Sequence, residues 1–161
     1  MFEVKKYAAS REKNYELVGK QLTALIEDEP NRVANLANAS ALLNQFLDRI
    51  NWVGFYLYDE TENQLVLGPF QGLPACVRIP LGRGVCGTSA DERKTLRIAD
   101  VHQFAGHIAC DAASQSEIVI PIVKNGALLG VLDIDSPEKD RFDEIDEKGL
   151  EAFVAILTEY L

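Results

Sequence analysis

Residues 117–135 read Glu-Ile-Val-Ile-Pro-Ile-Val-Lys-Asn-Gly-Ala-Leu-Leu-Gly-Val-Leu-Asp-Ile-Asp, two apolar runs either side of Lys124-Asn125-Gly126. Asn and Gly tolerate positive φ, so the centre of this stretch is a tight hairpin turn and the flanks, Glu117 to Val123 and Ala127 to Asp135, are antiparallel strands. Strand alternation then sets Val131, Asp133 and Asp135 on one face of the second strand and Leu132 and Ile134 on the other. Aspartate is disfavoured in strands, and two on one face repel unless something relieves them. Such a face is either bathed in water or is the floor of a pocket whose crowded carboxylates raise one another's pKa, so that at least one holds a proton. A three-residue loop, Lys124 to Gly126, brings Glu117 opposite Asp133 on that same face. A two-residue loop slips the register by one and sends Glu117 to the other side.

Upstream, Asn51 to Tyr58 alternates in the same way, with Val53, Phe55 and Leu57 on one face and Trp52, Tyr56 and Tyr58 on the other. The polar run Asp59 to Asn63 connects it to a strand over Gln64 to Phe70, after which Gly72 and Pro74 break regularity. Cys76 to Ile79 and Thr95 to Ala99 read as short strands, and the glycines of Gly82 to Ala90 mark a turn into a short helix. Residues 100–115 carry no period and read as a loop, where functional groups tend to gather.

Helical periodicity frames this strand-rich centre. Tyr15, Val18, Leu22, Leu25 and Ile26 recur at three-and-four spacing, and the pattern over residues 11–28 ends near Pro30. Asn31 is placed to cap a second helix reaching Ile50, and Ile145, Leu150, Phe153, Val154 and Leu157 define a closing helix from Phe142. Helices at both ends of a hairpin-connected sheet imply an α+β domain, an antiparallel sheet with helices packed on it. The length of 161 residues suits one such domain, residues 1–161.

Net charge of −9 and the lack of any basic run longer than two residues exclude a nucleic-acid-binding surface. The apolar runs are too short to span a membrane. The N-terminal Met-Phe-Glu-Val-Lys-Lys lacks the basic-then-apolar order of a secretory signal, which places the chain in the cytosol as an expectation. There an odd set of three cysteines, Cys76, Cys86 and Cys110, would serve redox chemistry or core packing rather than a disulfide framework. No metal is expected, because the set contains no Cys-x-x-Cys pair. No cofactor is expected either, since Gly82-Arg83-Gly84-Val85-Cys86-Gly87 lacks the lysine and hydroxyl of a phosphate loop. Cys110 sits in the unpatterned loop near His107 and is the thiol most open to solvent and to a lowered pKa.

Five blocks carry a family resemblance: Asn51-Trp52-Val53-Gly54-Phe55-Tyr56, Gly68-Pro69-Phe70-Gln71-Gly72, Gly82-Arg83-Gly84-Val85-Cys86-Gly87, His107-Ile108-Ala109-Cys110-Asp111 and Leu132-Asp133-Ile134-Asp135-Ser136. In this order, with all three cysteines, the chain resembles the free methionine-(R)-sulfoxide reductases, which are single GAF domains. The resemblance implies reduction of free L-methionine-(R)-sulfoxide, with Cys110 as nucleophile and Cys76 and Cys86 as thiols that resolve its sulfenic acid to a disulfide. Which of the two resolves, and whether Cys86 is itself the attacking thiol, stays open. It further implies that Glu117, Asp133 and Asp135 surround the sulfoxide, that Trp52 and Tyr56 enclose its methyl end, that a dithiol such as thioredoxin recycles the enzyme, and that the protein is a homodimer. The competing expectations are a GAF domain that binds a small ligand without turnover and a redox switch that forms a disulfide without a substrate.

Overall fold

The computed structural model describes every residue except Met1, Val4, Lys5 and Ala109. Two helices lead the chain, α1 (Arg11–Ile26) and α2 (Arg32–Phe46). Ser10 caps α1 by accepting from the Lys13 amide, and Asn31 caps α2 by accepting from the Ala34 amide. The second helix stops at Phe46, short of the Ile50 that periodicity suggested. The chain turns at Arg49, whose φ is +53°, to start the sheet. The strands and the short helix follow as β1 (Trp52–Asp59), β2 (Gln64–Gly72), β3 (Arg78–Pro80), α3 (Gly84–Glu92), β4 (Leu96–Ile98), β5 (Ser116–Lys124) and β6 (Ala127–Ser136). A last helix, α4 (Glu144–Glu159), starts at a capping box in which the Asp143 and Asp146 side chains each accept from the other's amide. Two strand boundaries shift by two residues, the others by one at most: β2 runs on to Gly72, and β3 begins at Arg78, leaving Cys76 in the connecting loop.

The strands form one six-stranded antiparallel sheet in the order β3-β2-β1-β6-β5-β4. One face is the main core, where Val53, Phe55, Ile118, Ile120, Leu132 and Ile134 pack with Leu22, Leu43 and Phe153 from the three long helices. The other face carries Trp52, Tyr56, Val119 and Val131 against Val85, Cys86 and Ala90 of α3. No described helix is long and apolar enough to cross a membrane.

The β5–β6 hairpin corrects the expected register. Its turn is the two residues Asn125 (φ +51°) and Gly126 (φ +80°), with Lys124 opposite Ala127, the pair of left-handed residues that matches the twist of a tight hairpin. On a regular ladder this would send Glu117 to the helix face. Instead Val123 pairs with Leu128 and Ile122 with Gly130, so Leu129 is an extra residue taken up on β6 as a bulge. The bulge restores the parity that the shorter turn removed. Glu117 therefore shares a face with both aspartates, but stands opposite Asp135, while Val119 stands opposite Asp133. Gly130 sits at this irregularity because β1 comes too close for a side chain: a Cβ there would lie 2.2 Å from the Tyr56 carbonyl oxygen.

Candidate active site

Register brings the site together on the α3 face of the sheet. Reading across the strands, Trp52 of β1, Asp135 of β6 and Glu117 of β5 form one row, and Gly54, Asp133 and Val119 form the next. Gly54 is small for a reason. A Cβ at that position would meet the Phe70 Cβ at 2.2 Å and the Trp52 ring at 2.9 Å, and the bare backbone lets the indole lie flat across the sheet. Trp52 stacks on Phe70 with ring centroids 5.1 Å apart and on Tyr56 at 5.8 Å.

The two aromatics have a second part that their sequence positions did not reveal. Trp52 Nε1 donates to the Leu73 carbonyl at 3.1 Å and the Tyr56 hydroxyl donates to the Cys76 carbonyl at 2.9 Å. They hold the β2–β3 loop, and with it Cys76, over the sheet. The facing loop, between the 3₁₀ turn at Val101–Gln103 and β5, carries His107, Cys110, Asp111 and Ser114. Asn51, at the start of β1, ties that loop down by donating to Asp111 Oδ2 at 2.9 Å and to Ser114 Oγ at 3.1 Å. The two loops are joined by a disulfide between Cys76 and Cys110, with Cα atoms 5.7 Å apart. Cys110 is exposed and Cys76 half-buried, so the bridge lies at the mouth of the cavity.

Cys86 is a free thiol, buried in the first turn of α3. It faces the carboxylates and donates a long hydrogen bond of 3.9 Å to Glu117 Oε2. Burial pushes its pKa well above the usual thiol range, and the charges of Asp133, Glu117 and Asp135 push the same way. Cys86 is thus held as a thiol, whereas attack on sulfur needs a thiolate.

The three carboxyl groups form one coupled unit. Glu117 lies within hydrogen-bonding reach of both aspartates, and burial followed by their charges raises its pKa well above the carboxylate range. Burial and the Asp133 charge do the same for Asp135. Burial also raises Asp133, opposed by the neighbouring Glu117 and Cys86 groups and by the nearby His107. Like charges this close cannot all ionise, so the cluster retains a proton near neutral pH and titrates as a unit. It is an acid facing a cavity. One atom each of Cys86, Glu117 and Asp133 lie within 4.8 Å of one another, a spacing that three ligands of a divalent cation could adopt.

The cavity is lined by the carboxylates, Trp52 and Tyr56, the start of α3 and both loops, and encompasses every site residue expected from the sequence: Trp52, Tyr56, Cys86, Cys110, Glu117, Asp133 and Asp135, with Cys76 on its rim. Asn51, Asp111 and Ser114 had no role assigned from the sequence, because Asp111 and Ser114 lie in an aperiodic loop that carries no pattern and Asn51 at the start of β1 meets them only in the folded chain. Among the described residues, the buried side-chain atoms without a hydrogen-bond partner are Asn51 Oδ1, His107 Nδ1 and Asp133 Oδ1, all of them at this site.

Comparison with known proteins agrees with this geometry. A GAF domain family model matches residues 36–161. Protein YtsP of Bacillus subtilis is 62% identical over 100% of this chain and 99% of its own. The free methionine-R-sulfoxide reductase of Escherichia coli is 54% identical over 91% of this chain and 88% of its own. The X-ray structure of free methionine-R-sulfoxide reductase from Neisseria meningitidis in complex with its substrate superposes with a TM-score of 0.94 at 42% identity, covering 99% of this chain and 95% of that one. With this fold, these cysteines on one cavity and relatives matched along nearly their whole length, the chain belongs to the GAF-domain family of the free methionine-R-sulfoxide reductases.

Proposed function

We propose that this protein is a thiol-dependent oxidoreductase that reduces free L-methionine-(R)-sulfoxide to methionine. The observation that carries the reading is the Cys76–Cys110 disulfide set across the mouth of a cavity whose floor is an acid cluster. The Cys110 thiolate attacks the sulfoxide sulfur, while a protonated carboxyl among Glu117, Asp133 and Asp135 delivers its proton to the sulfoxide oxygen. The resulting S–S bond between Cys110 and substrate then breaks as the oxygen passes from the substrate sulfur to the Cys110 sulfur, so methionine leaves with its sulfur reduced by two electrons and Cys110 is oxidised to a sulfenic acid. The Cys76 thiol then attacks that sulfenic sulfur, expelling water and forming the disulfide. A thioredoxin-like dithiol reduces it by exchange and regenerates both thiols.

In this reading Cys76 resolves Cys110, and Cys86 is neither nucleophile nor resolver. Trp52 and Tyr56 enclose the methyl end of the substrate. The described form is then the oxidised end of the cycle, closed by its own disulfide. The cavity volume is about 40 Å³, space for a few waters and too little for an amino acid. Reduction must release the loops before substrate enters. A cytosolic homodimer acting on the free amino acid belongs to the same proposal.

Methionine release from free methionine-R-sulfoxide, its S epimer and a peptide-bound R-sulfoxide, each with a dithiol reductant, tests it. Turnover of the free R epimer alone is expected. An intact fold that turns over none of them would leave a GAF domain that binds without reacting.

A further inference from the structure

A free methionine sulfoxide brings three polar groups into the cavity: the sulfoxide oxygen, the α-carboxylate and the α-ammonium. The acid cluster answers the first. The ammonium is a buried cation, which costs several kcal/mol unless it meets acceptors and negative charge. Two residues that line the cavity, His107 and Asp133, each hold a buried atom without a hydrogen-bond partner, Nδ1 and Oδ1. Their side chains are close enough for charge on one to be felt by the other. Next along the chain, Ile108 packs against the start of α3, where a Cβ on Gly84 would lie 3.1 Å from it.

We propose that His107 binds the free α-ammonium group of the substrate, its Nδ1 accepting a hydrogen bond while Asp133 supplies neutralising charge. This rests on the reading of the site as a free methionine-sulfoxide reductase. Burial lowers the His107 pKa, so the imidazole is neutral, and with the ring proton on Nε2 the Nδ1 lone pair is free to accept. The nearby Asp133 repels a substrate carboxylate and attracts an ammonium. A peptide-bound residue presents a neutral amide nitrogen instead, so His107 would contribute to selectivity for the free amino acid, because a site built to bond a charged donor rejects the analogue lacking it.

The test is steady-state kinetics of wild type, His107→Ala and His107→Asn on free methionine-R-sulfoxide, its deamino analogue 4-(methylsulfinyl)butanoate and its carboxamide. Wild type is expected to prefer the two substrates that carry the ammonium. His107→Ala should raise KM about tenfold or more for those two, the size of a lost hydrogen bond to a charged group, with kcat within about twofold and the deamino analogue unaffected. His107→Asn, whose side-chain oxygen can accept in place of Nδ1, should recover part of the loss.

Equal loss on all substrates would mark His107 as a loop-packing residue and overturn the proposal. So would a loss that spares the carboxamide, which would assign the contact to the carboxylate. If both variants failed to fold, wild type decides alone, since indifference to removal of the amino group is incompatible with an ammonium site. A wild type that reduces none of the substrates would overturn the reductase reading, and this inference with it.

Discussion

Glu117 and Asp135 stand directly opposite one another on β5 and β6, two acids in cross-strand contact on the buried side of the sheet. With Asp133 they make a cluster whose pKa values rise mainly through burial. The protein carries a destabilising element at the place where the chemistry is proposed.

The sign of the pH dependence follows. Carboxyls with a raised folded-state pKa bind more protons folded than unfolded between about pH 4 and the raised values, so stability falls as pH rises through that window. Glu117→Gln and Asp135→Asn should therefore melt higher than wild type at pH 8, with the gap closing toward pH 4. The same variants should lose about 10²–10⁴-fold in turnover, the usual contribution of a positioned acid. Calorimetric melting across pH together with methionine release measures both. A lower melting temperature at pH 8 would show that these groups are ionised and compensated.

The cysteine roles separate by reductant. Cys110→Ser should release no methionine even in a single turnover. Cys76→Ser should release about one methionine per chain and then stall with thioredoxin, because its sulfenic acid has no partner thiol, while small-molecule thiols restore turnover. Cys86→Ser should keep thioredoxin-dependent turnover within a few-fold of wild type. Loss of thioredoxin dependence in Cys86→Ser instead would make that buried thiol the resolver.

Trp52 is the sole tryptophan and is hydrogen-bonded to the loop that carries Cys76. Reducing the disulfide should free that loop and shift the intrinsic fluorescence. The oxidised protein should fail to bind methionine sulfoxide in a calorimetric titration, whereas Cys110→Ser, which cannot close, should bind it. Equal affinity in both forms would refute closure by the disulfide.

Outside the cavity lining, Arg141 and Asp146 are buried with 5% and 3% of their side chains exposed. Asp146 accepts from Tyr15 at 2.7 Å and from Arg141 at 3.3 Å, and Arg141 reaches the Asp48 carbonyl, so α1, α4 and the turn before β1 are pinned at one point. Asp146→Ala should cost about 3–5 kcal/mol in chemical denaturation, because it removes the buried partner of Arg141 and leaves that arginine only the exposed Asp48 carboxylate. A loss under about 1 kcal/mol would mean that water replaces the partner.

The sequence by itself determined the elements and the identity of the groups. Helix periodicity, the cap Asn31 and the hairpin signal at Lys124-Asn125-Gly126 are local patterns, and local patterns are written in consecutive residues. That Asp133 and Asp135 share a face followed from strand alternation alone. Which acid faces which did not, because the shorter turn and the Leu129 bulge each shift the register by one and neither is visible apart from the other. The pairing of Cys76 with Cys110, and the enclosure of Cys86 among carboxylates, were decided by loops that Trp52, Tyr56 and Asn51 hold from the sheet. Those contacts join residues distant in the chain, and only the packed sheet brings them within bonding distance.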